Sequence, residues 1–173
     1  MVKNILITGR PGSGKSTLIQ ILIGHFKDRK ISGIVTPEIR KQNKRYGFKI
    51  IDIASREEAI MASVDINSSK RVSKYQVDVD AIDRILNKLE DGLNEAVIIF
   101  VDEIGKMELY SQRFKDTVEG ILDSNKTVIS TIQLSKNPFI KNIMKRGDCR
   151  VYFLDRDNQK EVLKSILSEV DPH

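Results

Sequence analysis

Three features of the sequence predict an α/β protein built on a doubly wound, mostly parallel sheet. Strand-like and helix-like runs alternate along most of the 173 residues. Ala96-Val97-Ile98-Ile99-Phe100-Val101 is nearly continuous in apolar residues, as a strand covered on both faces requires. A glycine-rich turn, Gly9-Arg10-Pro11-Gly12-Ser13-Gly14-Lys15-Ser16-Thr17, stands between an apolar run and a helix-periodic one.

Taken in order, Ile5 to Thr8 reads as the first strand. Lys15 to about Asp28 reads as a helix with Leu18, Ile21, Leu22 and Phe26 on one face. Ser32 to Thr36 is a second strand and Phe48 to Ile53 another. Ala59 to Ser63 can pair with Phe48 to Ile53 as an antiparallel hairpin after the turn Ser55-Arg56-Glu57-Glu58, although Arg56 to Met61 also suits a short helix. Asp80 can cap a helix through about Leu93, with Ile82, Ile85, Leu86, Leu89 and Leu93 in register. Beyond the buried strand, Ser111 to Asp123 is a helix carrying Phe114, Val118, Ile121 and Leu122 at helical spacing. Thr127 to Ile132 is a strand, Pro138 to Arg146 a short helix and Arg150 to Leu154 the last strand. Asn158 and Glu161 form a capping box that opens a final helix with Val162, Leu163, Ile166 and Leu167 inward. No repeat or low-complexity linker divides the chain, so one domain over residues 1–173 is expected.

The turn has the pattern G-x-x-x-x-G-K-[ST] in a strand–turn–helix setting, which is a phosphate-binding loop. Polyphosphates need many donors in a small space. Glycines let successive backbone N–H groups point inward, and the helix that follows adds its dipole. Gly9, Arg10, Pro11, Gly12, Ser13, Gly14, Lys15, Ser16 and Thr17 are therefore the candidate phosphate contacts. Lys15 reaches the β- and γ-phosphates, and the Ser16 hydroxyl takes a place on Mg²⁺.

A second element follows the buried strand. Asp102 ends that strand at the edge where such sheets bind ligands, and can hold Mg²⁺ with Ser16. The adjacent Glu103 can accept a proton from, or orient, an attacking water. Catalysis is thus assigned to Lys15 and Glu103, and the metal to Ser16 and Asp102. Glu38, Arg40 and Thr131 lie at two other strand ends as auxiliary candidates: Thr131 could sense the γ-phosphate and Arg40 could supply transition-state charge. An exposed Glu38–Arg40 ion pair is the alternative. His25 and His173 read as surface residues.

Composition narrows the class further. The formal net charge is +5, with basic clusters at Arg40 to Arg45 and Lys141 to Arg150. Charged residues of both signs make up 31% of the chain, and aromatic residues only 6%, so a solvated surface is favoured over a nucleic-acid face. The single cysteine, Cys149, excludes an internal disulfide and reads as ordinary packing at a strand start. The first strand signal comes almost at once and no apolar run has membrane-spanning length, so a cytoplasmic protein is expected, without signal sequence or membrane partner. A monomer is the expected state.

Gly9 to Thr17, Thr36-Pro37-Glu38-Ile39-Arg40, Gly47-Phe48-Lys49-Ile50-Ile51-Asp52 and Asp102-Glu103-Ile104-Gly105-Lys106-Met107-Glu108-Leu109 together resemble the small thermophile-type nucleoside-triphosphatase family, which includes the human cancer-related nucleoside-triphosphatase. The similarity spans nearly the whole chain. The resemblance implies Mg²⁺-dependent hydrolysis of ATP, GTP, CTP and UTP to diphosphate and phosphate, with weak base preference. It also implies a RecA-like parallel core extended by antiparallel strands. By the same resemblance Val97, Ile98, Ile99, Phe100, Val101, Asp102, Glu103 and Ile104 match a second nucleotide-binding stretch. Lys41 to Tyr46 and Ala54 to Tyr75 match no pattern, and no role is assigned to them.

Two other readings share the phosphate loop. A small-molecule or nucleotide kinase would use Arg146 and Arg150 over the phosphates, and a nucleotide-switched binding module would associate with RNA. A guanine-specific switch is disfavoured, because Asn125-Lys126-Thr127-Val128 has no aspartate where N-K-x-D needs one.

Overall fold

A computed structural model describes residues 3–172, and its strands join one sheet. The first half of the chain holds β1 (Asn4–Thr8), α1 (Lys15–His25), β2 (Ile31–Val35), β3 (Glu38–Lys41), β4 (Lys44–Asp52) and β5 (Glu58–Ser63). Then come β6 (Arg71–Val72), β7 (Tyr75–Val77), α2 (Val79–Leu93) and β8 (Ile98–Ile104). A 3-10 turn at Glu108–Tyr110 leads into α3 (Gln112–Asp123), β9 (Thr127–Ile132), α4 (Pro138–Met144), β10 (Cys149–Phe153) and α5 (Gln159–Val170).

The sheet has two halves. Its parallel half runs β10-β1-β9-β8-β2, and its antiparallel half continues β4-β5-β7-β6 with β3 paired to β4. β9 is thus inserted between the strand that feeds the phosphate loop and the strand that carries Asp102. Among the described residues no helix is long and apolar enough to cross a membrane.

Side-chain alternation along β8 explains the double winding. Ile98 and Phe100 join a cluster with Leu18, Ile19 and Leu22 of α1 and Val162 and Ile166 of α5. Ile99 and Val101 join the opposite cluster, with Ile82, Ile85 and Leu86 of α2 and Phe114 and Val118 of α3. A strand with both faces under helices needs apolar residues at every position, which is why the run is unbroken. The same alternation carries the next even position, Asp102, to the face of α1, where Ser16 lies.

Several expectations need correction in detail. α1 stops at His25, and Ile21 is 50% exposed while Ile19 is fully buried, because the helix buries positions 18, 19, 22 and 26. The cap of α2 is Asp78 rather than Asp80, with its Oδ1 accepting from the Ala81 N–H at 3.0 Å. β8 runs on to Ile104, so Asp102 and Glu103 lie within the strand instead of following it. The capping box at Asn158 does not form: the Asn158 amide is spent on the preceding turn, donating to the Phe153 carbonyl and accepting from the Asp155 N–H. Residues 58–63 form a strand paired with β4, so the hairpin reading holds over the short helix. Residues 54–75, which carried no pattern, also supply β6 and one residue of β7. Cys149 opens β10 half-buried, with its thiol pushed up to about 11 by burial, so it is unreactive there. His25 is exposed, and His173 lies outside the described residues.

Candidate active site

The phosphate loop leaves buried Thr8 at the carboxyl end of β1 and turns on the Ser13 N–H bonded to the Arg10 carbonyl, at 3.1 Å. Gly12 and Gly14 have φ of 80° and 96°, a region side chains disfavour, and this lets the loop curl before α1 starts. A Cβ on Gly14 would lie 2.4 Å from Nε2 of Gln159, which donates to the Ser13 carbonyl at 2.8 Å. The last helix therefore braces the first loop. The first turn of α1 has no side-chain cap and no acidic residue, so its N–H groups are open to an anion. Among the described residues Ser13 Oγ is buried without a partner, and Lys15 Nζ donates to the carbonyls of Gly9 (2.9 Å) and Arg10 (3.2 Å).

Asp102 faces this loop. Its Oδ1 accepts from Ser16 Oγ at 3.3 Å and from Thr131 Oγ1 at 2.6 Å, and its backbone carbonyl accepts from Thr36 Oγ1 at 2.8 Å. Among the described residues Oδ2 takes no hydrogen bond. β9 lies between β1 and β8, so strand ends roughly 10 Å apart are joined only by side chains reaching across it. Burial pushes the Asp102 carboxyl up, against the pull of the Thr131 and Ser16 hydrogen bonds and Lys15. Glu103 is also raised, by burial and then by the negative charge of Asp102, with Lys15 opposing. The peptide between the two acids is cis.

A third acid completes the group. Glu108 is buried, with its pKa pushed up to about 8 by burial and by the charges of Glu103 and Asp102. At neutral pH it is therefore mostly the neutral carboxylic acid. Gln133 closes the turn around these acids by accepting from the Lys106 N–H at 2.9 Å. Sequence reasoning gave Glu108 no role, although its neighbours Met107 and Leu109 signal an apolar setting. Gln159 was missed with no local signal, since its partner lies 146 residues away.

This donor set fits Mg²⁺. A hydroxyl and a carboxylate with one oxygen open are hard ligands, and Mg²⁺ takes one or two protein oxygens beside those of phosphate and water. Among the described residues no group of three or more His, Cys, Asp or Glu side chains forms a ready metal cage.

Several candidates lie elsewhere. Arg40 donates to Glu38 Oε1 at 3.0 Å and to the Asn43 carbonyl at 3.1 Å on the exposed β3–β4 hairpin, so the surface ion pair is what forms. Arg45 also bonds Glu38, and Lys41 sits 3.7 Å over the Tyr46 ring, so three of the four basic residues of the first cluster are engaged within their own hairpin. Val97 is 44% exposed at the amino end of the run, and Ile98, Ile99 and Phe100 are core residues. These four carry the acids to the sheet edge and offer no side chain to a nucleotide there. Val101 and Ile104 are likewise buried apolar residues on either side of the acid pair. Arg146 bonds Asp123 and Asp148, and Arg150 bonds Glu169. Asn4, at the start of β1, also donates to Asp148, so Arg146 sits at the far end of that strand from the loop. The kinase reading loses both its arginines.

A family model described as NTPase matches residues 4–167. The chain belongs to the NTPase family. It is 45% identical over 165 residues to nucleoside-triphosphatase THEP1 of Thermotoga maritima, covering 95% of this chain and 93% of the relative. The THEP1 of Methanothermobacter thermautotrophicus is 36% identical over 166 residues, covering 94% and 93%. In three dimensions this NTPase is similar to THEP1 from the hyperthermophile Aquifex aeolicus, with a TM-score of 0.79 and 31% identity over 97% and 99% of the two chains. It is also similar to a human cancer-related nucleoside triphosphatase, with a TM-score of 0.81 and 26% identity over 98% and 97%. The fold class is therefore as expected, a mostly parallel central sheet with added antiparallel strands.

Proposed function

We propose that the chain, acting as one domain, hydrolyses nucleoside 5′-triphosphates to diphosphate and phosphate with Mg²⁺ and with little preference among ATP, GTP, CTP and UTP. One juxtaposition carries this reading: Ser16 Oγ of the phosphate loop lies 3.3 Å from Asp102 Oδ1, and Glu103 follows in the same strand. The names of the THEP1 relatives point the same way.

The open amides of the loop and of the first turn of α1 bind the phosphates. Lys15 exchanges its two backbone carbonyls for the β- and γ-phosphates, a charge-assisted gain over neutral partners. Ser16 and Asp102 hold Mg²⁺, which when bound supplies Lewis-acid charge to the phosphate oxygens. Glu103 orients the attacking water and accepts its proton, while Lys15 opposes the upward push of burial on that carboxyl. Glu108, neutral beside it, adds no third negative charge to the site.

Phosphate release from each of the four triphosphates, with and without Mg²⁺ and with no acceptor present, tests the proposal. Release from all four that stops on chelation is expected. Nucleoside diphosphate formed only when an acceptor alcohol is added, with the phosphoryl group on the alcohol and no free phosphate, would return the kinase reading.

A further inference from the structure

Beside the phosphate loop lies a cleft of about 410 Å³ whose far wall the phosphate chemistry does not use. Arg10 and Pro11 form part of one side, and Leu134, Phe153, Asp155 and Arg156 form part of the other. Leu134 is 46% exposed and Phe153 62%, so two of the chain's large exposed apolar side chains line one hollow next to the loop. Solvated apolar surface of this kind, continuous with a polyanion site, suits the flat part of a ligand whose charged tail the loop holds.

Several polar groups of this wall are already engaged. The Phe153 carbonyl accepts from Asn158 Nδ2 at 2.8 Å, and the Asp155 N–H donates to Asn158 Oδ1 at 2.9 Å. Asp155 Oδ1 accepts from the N–H groups of Asp157 and Asn158. What remains for a ligand is the Phe153 ring, the Leu134 methyl groups and the Arg156 guanidinium, with the second carboxylate oxygen of Asp155 exposed beside them. Arg156 has no hydrogen bond or ion pair among the described residues, and its Nη2 would lie 3.8 Å from a Cβ placed on Gly12. An aromatic ring and a guanidinium plane both stack on any base, whereas reading a base edge needs directed donors and acceptors.

We propose that this cleft is the nucleobase subsite, in which Phe153 and Arg156 hold the base by its faces and leave its edge unread. The assignment rests on the proposed binding of nucleoside triphosphates at the loop. It supplies the physical reason for tolerance among bases: purines and pyrimidines share a π-face and differ at their edges.

The chain has no Trp, so Phe153→Trp places a unique fluorophore in the wall at an exposed position. ATP, GTP, CTP and UTP should each change its emission over the concentrations that saturate turnover. Inorganic tripolyphosphate, which has the phosphates without a base, should compete with ATP and leave the emission unchanged. Phe153→Ala should raise KM for all four nucleotides on the order of tenfold, as loss of a stacking platform does, with kcat within about twofold. The inhibition constant of tripolyphosphate should stay as it was.

Nucleotides that saturate turnover without altering the Trp emission would overturn the subsite, as would an equal weakening of ATP and tripolyphosphate in Phe153→Ala. A loss confined to one base would replace stacking by edge recognition and overturn it too. Failure of tripolyphosphate to compete, with base-dependent emission intact, falls on the phosphate-loop reading alone. A protein that binds no nucleotide refutes both.

Discussion

At the amino end of β1, Asp148 lies against the Arg146 guanidinium, with contacts of 2.9 and 2.8 Å, and accepts from Asn4 as well. At the carboxyl end, Asp102, Glu103 and Glu108 share a buried pocket with one lysine, which is turned onto backbone carbonyls. Arg146 holds the Asp148 carboxyl below its ordinary range, whereas burial pushes the three acids of the other end above theirs, Glu103 and Glu108 with added repulsion from their acidic neighbours. The first end is satisfied by the chain itself and the second is not. A cluster of acids at elevated pKa beside open amides stores a demand for both a cation and an anion, which a metal–nucleotide pair meets together.

The largest effect expected at the unsatisfied end is that of Lys15→Ala. Removing the cation nearest the terminal phosphates should lower kcat/KM on the order of a thousandfold or beyond, measured by phosphate release. Near-normal turnover in that variant would assign the phosphates to another site. Glu103→Gln comes next. It should keep nucleotide binding, followed by calorimetry, while kcat falls on the order of a hundredfold because the water loses its acceptor. Weakened binding with turnover per bound nucleotide preserved would make Glu103 a binding residue.

The two ends should also carry pH slopes of opposite sign. Glu108 titrates near 4.5 in the unfolded chain and at about 8 when folded, so the folded state keeps a proton that the unfolded state releases between those values. Stability of the metal-free protein therefore falls as pH rises through that window, by at most roughly 1.4 kcal/mol per pH unit from this residue. Glu108→Gln should flatten the fall in melting temperature between those limits, leaving the smaller slope from Asp102 and Glu103. An unchanged slope would remove Glu108 from the coupled group. Asp148 acts in the other direction: its pKa is depressed, so its contribution is complete above about 3.8 and is lost as pH falls further.

Arg146→Ala should have the smallest effect, a loss of about 1 kcal/mol in thermal or denaturant unfolding with kcat unchanged, because the pair is partly exposed and screened. A drop in kcat without a drop in stability would revive a phosphate role for this arginine.

The contrast between the halves of the sheet explains what could be read in advance. β8 announces itself because cover on both faces forces a continuous apolar run, and Gly9 to Thr17 because a phosphate cup needs glycines at fixed spacing. Both are local demands. Residues 54–75 gave only β5, since β6 and β7 are short strands held by pairing to neighbours rather than by their own pattern. Asp102 and Glu103 were legible from position alone, but the bond from Thr131 to Asp102 depends on β9 being threaded between β1 and β8. Arg40 and Arg146 show the converse: a basic residue near a strand end is no indication of free charge until its acidic partner is known.

The brace from Gln159 to the Ser13 carbonyl has a consequence for biosynthesis. β1 and its loop emerge from the ribosome before their supports, since β1 is sandwiched between β9 and β10 and the loop is steadied by a residue later still. A nascent chain that has not yet reached Gln159 would hold every residue of the phosphate loop and still lack its clamp. Hydrolytic competence should therefore wait until β9, β10 and α5 have been made, long after the loop itself.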